Sequence, residues 1–158
     1  MRESQRVFLD TCCLIRAAIS ESGGSRYIFE LARAGKLELV LTRRVVESAT
    51  QHLHSRYGRE AAKSFIKLMS ETPHVQCENP TRYEEERWQG IIHPADLHVL
   101  AGAAKAGADV LVSTDEKHLL TPEVALHFPV PAMGPKAFCD WFMERYQPDA
   151  GQLGLPAE

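Results

Sequence analysis

An α/β fold, with a mainly parallel sheet in the middle layer and helices on both faces, is what this amino-acid sequence predicts. Three observations carry that expectation. Val7-Phe8-Leu9 and Val110-Leu111-Val112 are continuous apolar runs, as in strands buried on both faces. Other segments place apolar residues at i, i+3 and i+4, the helical spacing. The two kinds of segment alternate along the chain, and a strand–helix–strand order calls for parallel pairing across crossovers.

The elements follow in order. Arg6 to Asp10 reads as a buried strand closed by a carboxylate. Ser25 to Ala34 is helical, with Ile28, Leu31 and Ala32 on one face, and Gly35 stops it. Leu37 to Leu41 is a second strand. Thr42 is placed to N-cap a helix that runs to Tyr57 and is broken by Gly58. A further helix spans Ala61 to Ser70, and a short strand Val75 to Cys77. Pro80 to Gly90 is polar and partly helical. Pro94 opens a helix that ends at Gly107. Asp109 to Ser113 is a strand, Val130 begins a last short one, and Pro135 to Tyr146 is a last helix. Residues 1–146 thus form one domain, and 147–158, with Gly and Pro and little else, are expected to be a flexible tail.

Composition narrows the class. The chain has 158 residues, 44% hydrophobic and 25% charged, which suits one folded domain with its own core. No apolar run nears the ~20 residues of a membrane helix. Met1 to Arg6 is polar and lacks a secretory apolar stretch, so the expected location is the cytoplasm. The cysteines at 12, 13, 77 and 139 form no CxxC pair, which argues for reduced thiols over a structural zinc site. Net charge is −3, against a broad nucleic-acid surface, yet residues 1–44 carry eight Lys and Arg and only five Asp and Glu. A phosphate-contacting patch has room in that first third.

Three carboxylates stand apart from ordinary surface charge. Asp10 and Asp115 each follow an apolar strand, and parallel neighbours would bring them to one sheet edge. Either alone reads equally as a turn or cap residue. On a helical wheel from Pro94 to Gly107, the stripe Leu97, Leu100, Ala101 and Ala104 opposes a polar side of His98, Gly102 and Lys105. Asp96 falls roughly 160° from that polar side, toward protein. A buried carboxylate needs a cation, hydrogen bonds or a proton, although first-turn capping would also suit Asp96. Glu47 lies off the stripe of Val45, Val46, Ala49 and Leu53, so periodicity alone makes it solvent-facing.

Four strings, taken in order, resemble the PIN-domain family. Val-Phe-Leu-Asp10-Thr-Cys-Cys-Leu-Ile resembles its opening strand and first aspartate. Leu-Glu-Leu-Val-Leu-Thr-Arg-Arg-Val-Val-Glu47 resembles its second strand and the helix that brings a glutamate. His-Pro-Ala-Asp96-Leu-His-Val-Leu-Ala-Gly-Ala-Ala and Ala-Asp-Val-Leu-Val-Ser-Thr-Asp115-Glu-Lys-His-Leu-Leu resemble the segments bearing the third and fourth acids. Gly-Pro-Lys-Ala-Phe near the end is similar to the family's close. The resemblance covers residues 6 to 144. It implies a three-layer α/β/α nuclease in which Asp10, Glu47, Asp96 and Asp115 hold Mg²⁺ or Mn²⁺, with Thr11 and Ser113 lining the site. Water would attack phosphorus in line and leave a 5′-phosphate. Arg16, Arg43 and Arg44 lie near in sequence and are offered as phosphate contacts, against the plain reading of solvated charge. Family habit further implies an RNA substrate, a toxin's antitoxin partner and a homodimer, with no membrane role.

The sequence departs from the pattern at Cys12, where asparagine is common, at Ser113, where threonine is usual, and at Leu119 or Leu120 in place of an aromatic residue. No departure removes a carboxylate. A phosphoacceptor domain would need an acidic neighbour for Asp10 and a late lysine after a strand. A haloacid-dehalogenase-type phosphatase would need an aspartate where Cys12 stands. The alternative that stays open is a catalytically inactive PIN-like module that binds nucleic acid or protein.

Overall fold

Five strands among the described residues of a computed structural model, 4–146, pair into one all-parallel sheet. The tail expected over 147–158 lies outside the described residues. The strands are β1 (Arg6–Leu9), β2 (Glu38–Thr42), β3 (Val75–Cys77), β4 (Val110–Val112) and β5 (Ala132–Met133), in the order β3-β2-β1-β4-β5. β1 is central because its Val7, Phe8 and Leu9 are wholly buried, and a strand with apolar side chains on both faces needs a neighbour on each edge and a cover on each face. Its register is fixed on both sides: Phe8 lies beside Val40 of β2 and Leu111 of β4.

The connections are helical. α1 (Thr11–Ile19) and α2 (Gly24–Arg33) follow β1, and α3 (Arg43–Tyr57) and α4 (Arg59–Glu71) follow β2. These four helices pack on one another, and α8 (Pro135–Tyr146) joins them against α2. α5 (Arg82–Glu86) pairs with α6 (Leu97–Lys105), and α6 lies on β2. α7 (Pro122–His127) links β4 to β5. Thr42 caps α3 as expected, its hydroxyl accepting from Val45 N at 3.4 Å. The chain turns back at Gly58 with φ of 96°, a conformation that only glycine adopts cheaply.

Two helices are absent from the expectation. α1 starts directly at Thr11, and its N-cap is Asp10, so the same residue that closes the strand opens a helix. α7 begins at Thr121-Pro122, a cap followed by proline at the first helical position. A third difference concerns α6. His98 and Gly102, expected on a polar side, are buried with nearly the whole helix. A Cβ at Gly102 would stand 3.0 Å from Thr42 Cγ2 and 3.3 Å from Phe8 Cζ, so glycine is what lets α6 lie this close to the sheet. Asp96 closes a 3-10 turn (Pro94–Asp96) ahead of α6, which makes the 100° wheel a poor guide to its direction.

Candidate active site

In the strand order β3-β2-β1-β4-β5 the chain moves outward from β1 first one way and then the other. The crevice between β1 and β4, at their carboxyl ends, is the switch point where open α/β sheets commonly bind ligands. Asp10 follows β1 there, and Ser113 and Asp115 follow β4. Asp10 N donates to Val112 O at 3.0 Å, continuing the ladder one residue past the strand and setting Asp10 beside Ser113.

The Asp10 carboxylate is tightly held. Oδ1 accepts from Thr11 N at 2.6 Å, and Oδ2 accepts from Ser113 Oγ at 2.9 Å. Cys12 Sγ lies 3.6 Å from the same Oδ2, 3.5 Å from Ser113 Oγ and 3.4 Å from Thr114 N. Burial raises the Asp10 carboxyl to about 7, with the Cys12 charge next in effect and Asp96 adding a smaller push, against the lowering by Ser113 and Thr11. The Cys12 thiol is drawn the other way, chiefly by its hydrogen bond with Cys13 and then by Thr114 and Ser113. Two anions this close in a dry pocket repel each other, which favours a proton or a cation between them.

Asp96 comes to the same crevice from the start of α6. It occupies the N-cap position yet its side chain makes no cap hydrogen bond, which removes capping as its reason for being there. Its carboxyl is raised by burial first and by Asp115 second, while His118 and His93 lower it. Asp115 is fixed by the turn that follows it: Oδ1 accepts from His118 N at 2.9 Å, and Oδ2 lies 3.3 Å from His118 Nδ1. Asp115 N donates to Ser113 Oγ at 3.0 Å, so one serine hydroxyl connects two of the acids. Asp10, Asp96 and Asp115 therefore form an electrostatically linked row.

Glu47 sits one turn into α3 on its exposed side, 2.8 Å from Arg43 Nε. It is absent from the charges that act most on Asp10 and Asp96. Arg44 Nη1 lies 3.8 Å from Glu85, so both arginines at the start of α3 already face carboxylates. Arg16, on α1, lines a cavity together with Ser113 and Thr114. Thr11 reaches the site through its backbone N–H. Cys12, read from sequence only as a reduced thiol and a departure from the pattern, belongs to the site's surroundings, as do His93 and His118, which were not named from sequence. His118 could have been, because it stands three residues after Asp115, the spacing of a turn contact.

Carboxylate oxygens and a serine hydroxyl are hard donors, the kind Mg²⁺ and Mn²⁺ take. Among the described residues, no three His, Cys, Asp or Glu side chains stand close enough to enclose an ion by themselves. No helix among the described residues is long and apolar enough to cross a membrane.

A family model described as PIN domain matches residues 6–117. No curated protein matches the chain in sequence. Among solved structures it is similar to PAE2754 from Pyrobaculum aerophilum, at 17% identity and a TM-score of 0.60, over 89% of this chain and 90% of that one. It is also similar to VapC20 from Mycobacterium tuberculosis, described as a sarcin–ricin loop cleaving toxin, at 17% identity and a TM-score of 0.55, over 77% and 95%. A third likeness is to VapBC2 from Rickettsia felis bound to a fragment of its promoter DNA, at 15% identity and a TM-score of 0.57, over 82% and 97%. At these identities the likeness is one of fold.

Proposed function

The chain belongs to the PIN-domain family, and from that membership we propose that it is a metal-dependent ribonuclease whose site is built on Asp10, Asp96 and Asp115. One observation carries the reading. A carboxyl raised to about 7 by burial, that of Asp10, lies in a row with a second acid that has no structural hydrogen bond at its helix cap and a third fixed by a turn. Local backbone satisfies part of Asp10 and Asp115 but none of the Asp96 cap, and three neighbouring carboxylates remain short of positive charge.

Asp10, Asp96 and Asp115 would hold Mg²⁺ or Mn²⁺, with Glu47, paired with Arg43 on the exposed side of α3, the proposed fourth acid. When bound, the ion makes water a better nucleophile toward phosphorus and offsets charge on the leaving oxygen. Ser113 keeps Asp10 and the Asp115 turn in place. Arg43 and Arg44 would reach backbone phosphates by leaving Glu47 and Glu85, and Arg16, exposed on α1, would meet the RNA beside Ser113 and Thr114.

The biological setting that best suits this reading is the toxin half of a toxin–antitoxin pair. Two of the similar structures are a toxin and a VapBC pair, and the chain spans 95% and 97% of their lengths when superposed in fold. The proposed partners are accordingly an antitoxin protein, a second copy of the chain and an RNA substrate. The test is cleavage of single-stranded RNA in Mn²⁺ or Mg²⁺. Cleavage should stop with chelator and with Asp96→Asn. Cleavage that survives both would assign the activity to another mechanism; no cleavage and no metal binding would leave a binding module.

A further inference from the structure

Beside the acid row, α1, the turn after β4 and the start of α8 enclose an open cavity of about 570 Å³. Its volume lies within the roughly 300–1,000 Å³ of small-ligand sites. It shares Ser113 and Thr114 with the acid site, so whatever fills it lies next to Asp10. Its charges are informative. Lys136 is already engaged with Asp140, Nζ to Oδ2 at 3.2 Å. Arg16 and Glu116 also line the cavity, are opposite in charge, and have neither each other nor any other side-chain partner among the described residues. The remaining walls are apolar, with Leu120, Pro135 and Ala137.

A phosphate is a poor occupant, because two carboxylates and two cations cancel around it. Arg16 and Glu116 are both exposed, and together they offer a donor and an acceptor to a flat group with an acceptor edge and a donor edge. Among the RNA bases, guanine alone presents two adjacent N–H donors, N1 and the 2-amino group, to one carboxylate, with O6 and N7 as acceptors elsewhere on its rim. Adenine and cytosine offer a single amino group beside an acceptor, and uracil one N–H between two acceptors. We propose that this cavity seats a guanine base, with Glu116 accepting from N1–H and the 2-amino group, Arg16 donating to O6 or N7, and the apolar wall covering the ring. That this guanine neighbours the cleaved bond rests on the ribonuclease reading; the base pocket itself does not.

The test is an NMR titration of the full-length protein with the 5′-monophosphates of guanosine, adenosine, cytidine, uridine and inosine, following the amides of Thr114, Leu120 and Ala137. GMP should bind at least about fivefold more tightly than AMP, CMP or UMP, the low end for a good bidentate base contact. Inosine monophosphate, which lacks the 2-amino group, should bind more weakly than GMP. Glu116→Gln should bring GMP down to the level of AMP. Equal binding of all five, or a preference untouched by Glu116→Gln, overturns the pocket. RNA oligonucleotides holding one guanine form the second arm, with cuts expected next to it in the parent and spread evenly in Glu116→Gln. Selective GMP binding without RNA cleavage would sink the nuclease reading and keep the pocket. Cleavage indifferent to base, with equal nucleotide binding, would do the reverse.

Discussion

Ser113 Oγ donates to Asp10 Oδ2 at 2.9 Å across 103 residues of sequence. The same oxygen accepts from Asp115 N at 3.0 Å, so a single hydroxyl sets the spacing between the ends of β1 and β4. Ser113→Ala should leave the Asp10 carboxylate with one fewer donor, raise its pKa further, and cost about 1–2 kcal/mol of stability. A carboxyl carbon NMR titration and a denaturant melt read the two effects. An unchanged Asp10 titration would show that Ser113 only fills space.

Burial chiefly, with the Cys12 charge added, holds the Asp10 carboxyl at about 7 against an ordinary 3.8. The folded chain therefore binds this proton more tightly than the unfolded chain does. That contribution to stability is complete below pH 3.8 and is lost as pH rises through about 7. The Cys12 thiol, lowered to about 5, and the His98 ring, lowered to about 4, act in the opposite sense and add stability as pH rises through this window. The Asp10 contribution is therefore read as a difference: metal-free Asp10→Asn should gain stability relative to the parent between pH 5 and pH 8, by on the order of a few kcal/mol. Denaturant melts of both proteins in chelator at several pH values decide the matter, and a difference that does not change with pH would remove a protonated Asp10.

Metal should act in the opposite sense. Mn²⁺ at a hundred times its dissociation constant should stabilise the parent by about 2.7 kcal/mol. Asp96→Asn should lose cleavage, respond much less to Mn²⁺, and melt no lower than the parent without metal, because its carboxylate caps nothing. A metal-free variant that melts well below the parent would return Asp96 to a structural role.

Glu47→Gln offers a graded comparison. Its exposed pair with Arg43 contributes less than about 1 kcal/mol, so stability should hardly change. Activity should fall less than in Asp96→Asn if Glu47 acts through water, and not at all if Arg43 keeps it. Single-turnover rates of the two variants make the distinction.

Gly102→Ala should destabilise the fold by about 1–3 kcal/mol, although alanine is the better helix former. The added carbon meets Thr42 and Phe8, both wholly buried and unable to step aside. A thermal melt equal to or above the parent's would mean that α6 can move off the sheet freely.

β1, β2 and β4 were legible because they are short apolar runs that no helix could share, and they lie within a residue or two of the expected bounds. β3, Val-Gln-Cys and mostly exposed, has the bounds expected of it without being such a run. α1 was not legible: Thr11 to Ile19 is apolar with two cysteines and no break after β1, and Asp10 serves both elements at once. The polar side assigned to α6 failed because a helix buried all round leaves a wheel nothing to discriminate, and His98 goes inside uncharged, its pKa lowered to about 4 by burial and by Arg44. Of the site, the strand-end positions of Asp10 and Asp115 could be read from the apolar runs. The direction of Asp96 depends on a 3-10 turn, and the pairing of Glu47 with Arg43 on a side-chain choice that periodicity does not encode.

The place of β1 in the sheet also sets an order of events during synthesis. β1 leaves the ribosome first, yet one of its two neighbours, β4, begins only at Val110. A chain released before that point would carry Asp10, Glu47 and Asp96, but one edge of its most apolar strand would be unpaired and neither Ser113 nor Asp115 would exist. Such distant parallel pairing forms slowly. Premature stops and nascent fragments should therefore present a sticky strand to chaperones and proteases, with the acid row assembled only in the last stage of folding.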